Sequence, residues 1–151
     1  MAGLLIVHHT PSPAVQELLE AAVAGAGVPE LDAVSVALEP PLSATASDLL
    51  AADAVLLLTP ANIGYMSGAM KHFFDTVYYP CLDATVGLPY GVVVHGNNDT
   101  AGALRSVVRI AEALKWRAAV PAIEVVGAPD RAAIDAVRDA ASVLGLAALG
   151  G

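Results

Sequence analysis

The chain has 151 residues, the length of one ordinary domain and enough to bury a core without disulfides or metal to hold it together. Fifty-six per cent of the residues are apolar, yet no apolar run approaches the roughly 18 residues that a membrane span requires. Fifteen acidic against seven basic residues give a formal charge of −8, which argues against a nucleic-acid partner and leaves an acidic electron-transfer surface open.

The first residues lack the basic start and apolar stretch of a secretory signal, because Leu4 to Val7 runs straight into His8 and His9. A cytoplasmic location is the expectation. Cys81 is alone, so neither an intramolecular disulfide nor a cysteine-based zinc site is expected. No cysteine or regularly spaced acidic partner accompanies His8, His9, His72 and His95, so no metal site is expected either.

In chain order, the first strand is read at Leu4 to His8, and Ser12 and Pro13 are a natural N-cap and first residue for the helix that follows. That helix places Val15, Leu18, Leu19, Ala22, Val23 and Ala26 on one stripe. A second strand at Val34 to Leu38 alternates apolar with small or polar residues, and a short helix follows near Ala46 to Ala52. The third strand, Ala54 to Leu58, is uniformly apolar; Ser67 caps a helix whose Met70, Phe73, Phe74 and Val77 repeat at core spacing. Gly91 to His95 is a fourth strand, with Thr100 or Asp99 capping a helix that turns Leu104, Val107, Val108, Ala111 and Leu114 inward. Ile123 to Val126 and a helix carrying Ile134, Val137, Ala141 and Leu144 end the series.

Strand and helix alternate throughout, with no linker, which predicts a single α/β domain over residues 1–151 with helices on both faces of a parallel sheet. Strands one, three and four are continuous apolar runs, as burial on both faces requires, whereas Ser35 and Glu124 mark strands two and five as edges. The order 2-1-3-4-5 satisfies this, and it places a ligand beyond the carboxyl ends of strands one and three, where the winding reverses.

Three loops sit at those ends. The first, His8 to Pro13, leads into a helix N-terminus, where free amides and the helix dipole favour an anion such as a phosphate; Thr10 and Ser12 add hydroxyls, though each equally suits a local turn or cap. The second, Thr59 to Gly68, has glycines and Asn62 that permit close approach to a flat ligand, and Tyr65 as a stacking surface. The third, His95 to Gly102, offers amide and carboxylate groups that read a polar ring edge. Competing chemistries lack their groups: His9 and Thr59 stand where a phosphoacceptor domain needs acids, and no GxGxxG, GxxxxGK[ST] or GxSxG occurs.

The segment Leu57 to Tyr79, with Thr59-Pro60, Gly64, Met66-Ser67-Gly68, Lys71, Phe74 and Asp75, resembles FMN-dependent NAD(P)H:quinone oxidoreductases of the tryptophan-repressor-binding-protein type. Nearly the whole chain resembles, more loosely, the flavodoxin-like superfamily that also holds NADPH-dependent FMN reductases. The resemblance implies a flavodoxin-like three-layer sandwich around a five-stranded parallel sheet. It implies FMN as cofactor, with Pro60, Ala61, Asn62, Ile63, Gly64 and Tyr65 against the isoalloxazine ring.

Thr10 and Ser12 match the first two hydroxyls of the superfamily's phosphate loop, but Pro13, Ala14 and Val15 replace its glycine, polar residue and last hydroxyl. The expected phosphate contacts are thus the amides of Thr10, Ser12, Ala14 and Val15 plus two hydroxyls, two prolines having removed their donors. His95, Gly96, Asn97, Asn98 and Asp99 stand where the superfamily has a glycine-rich run against the ring.

The implied function is hydride or electron transfer from NAD(P)H to a quinone or similar acceptor. The flavin carries the chemistry and no protein side chain is required as acid or base. An electron carrier without its own substrate and a degenerate, flavin-free partner-binding domain are the alternatives. The family's dimers and tetramers imply a homo-oligomer, for which the apolar Tyr78-Tyr79-Pro80 exit from the third helix is the candidate patch, local packing being the other reading.

Overall fold

A computed structural model describes residues 1–150; Gly151, the last residue of the expected domain, lies outside the described residues. Its elements are β1 (Ala2–His8), α1 (Pro13–Ala26), β2 (Val34–Glu39), α2 (Ala46–Ala51), β3 (Ala54–Asn62), β4 (Tyr65–Met66), α3 (Gly68–Cys81), β5 (Pro89–Gly96), α4 (Ala101–Ala113), β6 (Arg117–Ala118), β7 (Ile123–Val126) and α5 (Arg131–Gly150).

Alternation along the central strands sorts the core into two layers, because successive side chains of a strand leave by opposite faces. Leu4, Ile6, Leu56, Leu58 and Val93 pack under α1 and α5. Leu5, Val7, Val55, Leu57, Val92 and Val94 pack on the other face with Met70, Phe73 and Phe74 of α3 and Val107 and Ala111 of α4. Both sets are almost wholly removed from water, so β1, β3 and β5 are sealed on both sides.

The path through the sheet is β2-β1-β3-β5-β6, all parallel, with β7 also beside β5. Ser35 and Glu124 do fall on the two edges. The expectation of five strands in the order 2-1-3-4-5 is corrected in two respects, since the sheet has seven strands. The fifth position is filled by two short strands: β6 pairs with the start of β5 and β7 with its end. Pro121 lies in the gap and has no amide to give the ladder. β3 also runs past Leu58 to Asn62, and its last two residues fold back onto β4 as an antiparallel hairpin.

Helix ends follow their caps. Ser12 Oγ accepts from the Val15 amide, Ser67 Oγ from Met70, and Thr45 and Asp48 form a reciprocal capping box on α2. At α4 the position is Thr100, but the capping bond is made by Asp99, whose Oδ1 accepts from the Ala101 amide at 3.0 Å. No described helix is long and apolar enough to cross a membrane.

On one outer layer α1 and α5 approach so closely that a Cβ added at Gly25 would lie 2.0 Å from the Arg138 carbonyl oxygen. Ser142 Oγ also donates to the Gly25 carbonyl at 2.7 Å. Helix propensity alone favours alanine there by about 1 kcal/mol, but the steric conflict is with backbone that cannot yield locally. Gly25→Ala is therefore expected to destabilise the fold by about 1–3 kcal/mol, read as a lower urea midpoint; an unchanged midpoint would show that the helices separate freely.

Candidate functional site

A groove of about 560 Å³ opens where the carboxyl ends of β1, β3, β5 and β7 meet the start of α1. Its volume is that of a small-molecule site. Ser12 and Ala14 line one end; Pro60, Ala61 and Asn62 supply one wall, and His95, Gly96 and Asn97 the other.

At the α1 end half of the backbone amides from His9 to Gln16 are already engaged. The His9 amide donates to the Leu58 carbonyl at 3.0 Å, Val15 to Ser12 Oγ at 3.3 Å and Gln16 to the Ser12 carbonyl at 3.0 Å. Pro11 and Pro13 have no amide hydrogen. The amides of Thr10, Ser12 and Ala14 remain without an acceptor among the described residues. Thr10 Oγ1 is hydrogen-bonded to His8 Nδ1 at 2.8 Å, and burial pushes the His8 pKa down. The neighbouring His9 Nδ1 is buried with no partner among the described residues.

The hairpin forming one wall is held rigidly from beneath. Ser67 donates its amide to Thr59 Oγ1 and Met66 to Ser106 Oγ, each at 3.1 Å. The two-residue turn, Ile63 and Gly64, has φ of 51° and 70°, both positive as a primed hairpin turn requires. Its tip leans on α4: a Cβ on Gly102 would lie 2.2 Å from the Gly64 carbonyl oxygen, so only glycine fits there.

The opposite wall ends at His95, a buried residue whose Nε2 lies 2.8 Å from the Gly127 carbonyl oxygen. A carbonyl only accepts, so Nε2 carries the hydrogen and, in the neutral ring, Nδ1 is the acceptor. Gly127 returns its own amide to the Gly96 carbonyl at 2.9 Å. Thr100 Oγ1 donates to Glu124 Oε2 at 2.7 Å, tying the following turn to β7.

The groove thus gathers Ser12, Ala14, Pro60, Ala61, Asn62, His95, Gly96 and Asn97 of the residues singled out in the sequence. Thr10 belongs to the same loop but does not line it. Val15 is fully buried in the core with its amide capped. Ile63 is fully exposed at the hairpin tip, and Gly64 and Tyr65 line a second groove of about 830 Å³ along α4, with Arg105 and Arg109. Asn98 and Asp99 are exposed and spend side-chain oxygens on the Asp99 and Ala101 amides.

Two contributors are not singled out by the sequence. Glu17, one turn into α1, lines the groove and is the only acidic side chain among the described residues to do so. Gly127, Ala128 and Pro129 close the floor; Gly127, at φ 76° directly after a strand, is the turn signal that points to them. Among the described residues no Lys or Arg lines the groove.

The NADPH-dependent FMN reductase family model matches residues 12–127. Among solved structures the chain is similar to a flavodoxin, WrbA-like protein from Agrobacterium tumefaciens, with 17% identity, 99% of each chain covered and a TM-score of 0.77. It is also similar to the flavodoxin of Streptococcus pneumonia TIGR4, with 19% identity over 96% of this chain and 99% of that one and a TM-score of 0.79. The Flv1 flavodiiron core from Synechocystis sp. PCC6803 matches at 11% identity over 98% of this chain and 36% of that one, with a TM-score of 0.80. At such identities the likeness shows a common flavodoxin-like fold. No curated protein is a significant match.

The turn residue Ile63 is β-branched, holds a left-handed conformation and buries nothing. Ile63→Gly is expected to raise stability by about 1 kcal/mol, since relief of backbone strain exceeds the added freedom of the unfolded chain. A lower denaturation midpoint in that variant would show that the side chain makes a contact that matters.

Proposed function

Because the chain belongs to the NADPH-dependent FMN reductase family, we propose that it draws reducing equivalents from NAD(P)H and delivers them to a quinone or a similar small acceptor. FMN is the cofactor and the protein is an FMN-binding oxidoreductase, as the family implies. The identity of the acceptor is our reading. The observation that supports the flavin reading is the groove itself: unengaged amides lie at the mouth of α1 at one end, and an apolar wall with amide-bearing neighbours forms the other.

The residues present fit this group. Gly96 and Gly127 line the groove without side chains; a Cβ on Gly96 would come within 3.0 Å of Thr100 Cγ2 and 3.3 Å of Ala61 Cβ, and one on Gly127 would stand in open space. In this reading Thr10, Ser12 and Ala14 donate amides to the phosphate, and Pro60 and Ala61 pack against the ring. Asn62, His95 and Asn97 meet its polar edge. Ile63, Gly64, Tyr65, Asn98 and Asp99 form the rim around the entrance, and Val15 acts only by holding the helix that carries Ala14. Bound FMN supplies the hydride and electron chemistry. The protein orients it, limits water at the floor and holds His95 in one tautomer through Gly127; no acid or base is assigned to a side chain.

An electron carrier without its own substrate is the second reading, favoured by the charge of −8. The experiment that separates them is NAD(P)H oxidation by the FMN-loaded protein with and without a quinone. Quinone-dependent turnover is expected, and a yellow protein that consumes no NAD(P)H would reject the enzyme reading.

We further propose a homodimer or homotetramer with Tyr78 and Tyr79 at its contact. Tyr79 is strongly exposed and meets Tyr78 edge-on, with ring centroids 5.1 Å apart. Exposed paired aromatics are the kind of surface a second subunit covers. Replacing both with Ser is expected to shift sedimentation toward the monomer, and an unchanged coefficient would remove them from the interface.

A further inference from the structure

We propose that the groove selects its flavin by the ring and not by the phosphate, so that riboflavin is held about as well as FMN. The inference rests on the flavin reading above and concerns which flavins the site accepts.

A helix N-terminus grips a phosphate through clustered free amides and the positive end of its dipole. Here Pro11 and Pro13 contribute no amide hydrogen, and the amides of His9, Val15 and Gln16 are spent on Leu58 and Ser12. Ser12 Oγ accepts from its own helix and keeps its hydroxyl hydrogen to donate, and Thr10 Oγ1 is bonded to His8. Three amides and that one hydroxyl hydrogen remain.

Charge works against the anion more plainly still. The helix end is equivalent to roughly half a positive charge. Glu17 brings a full negative charge into the same groove, on the same helix, one turn from the mouth. Among the described residues no Lys or Arg lines the groove to offset it. The imidazole bonded to Thr10 is a poor source of compensation, since burial holds His8 toward its neutral form.

The ring end carries no such handicap. Pro60 and Ala61 provide an apolar wall, Gly96 and Gly127 leave room, and Asn62, His95 and Asn97 offer polar groups. These contacts are the same for riboflavin and FMN, which differ only in the terminal phosphate.

The test is a titration of the full chain with FMN and with riboflavin, followed by quenching of flavin fluorescence, at low and high salt. Dissociation constants within about tenfold of each other are expected. FMN binding should tighten as salt screens Glu17, while riboflavin binding stays constant. Glu17→Gln, which removes the charge from the groove lining and keeps the length of the side chain, should tighten FMN by about threefold or more and leave riboflavin unaltered. Riboflavin weaker than FMN by more than about tenfold, or a Glu17→Gln variant with an unaltered ratio of the two constants, would overturn the inference while leaving the flavin assignment intact. Failure of both flavins to bind would overturn the flavin assignment itself, and this inference with it.

Discussion

Three parallel strands covered on both faces have nowhere to expose a polar group except at their ends, and that constraint organises the rest of the molecule. β1, β3 and β5 are apolar along their length because helices lie above and below them. Where the strands stop, the backbone needs partners, and loops of Pro, Gly, Asn and hydroxyl residues provide some and leave others unmet. The winding reverses between β1 and β3, so the loops that follow them diverge and a groove opens between.

The walls of that groove are held by different means. The hairpin after β3 is fixed through buried hydroxyls, Thr59 and Ser106, that accept the amides of Ser67 and Met66. The end of β5 is fixed through exchange with Gly127, which accepts from His95 and donates to Gly96. A buried donor left unpaired costs about 1–3 kcal/mol, so each of these bonds holds its wall more firmly than its net contribution to stability suggests. At the α1 end the amides of Thr10, Ser12 and Ala14 are left without a partner among the described residues.

Much of this was legible in the sequence. The runs at Leu4 to Val7, Ala54 to Leu58 and Gly91 to Val94 are too continuous for anything but doubly buried strands, and Ser35 and Glu124 mark the edges. Loop composition at the strand ends points to the groove. The hairpin β3–β4 escaped because Ile63 stands where a primed turn usually has Asn or Gly, and a β-branched residue hides the signal. The break between β6 and β7 depends on a single Pro121 and on which half of β5 each piece finds. Glu17 was invisible for another reason: a periodic stripe identifies the buried face of α1, whereas the groove meets that helix on its exposed side.

The contact at Gly25 bears on the site from afar. Backbone pressed against backbone leaves α1 little freedom to slide along α5, so the height at which Ser12 and Ala14 stand above the sheet is set some three turns away from them. The loop before the helix is thereby relieved of positioning it. Sequence drift at residues 11 and 13 alters what the mouth attracts without altering where the mouth is, and a scaffold of this kind changes its ligand preference while its architecture stands still.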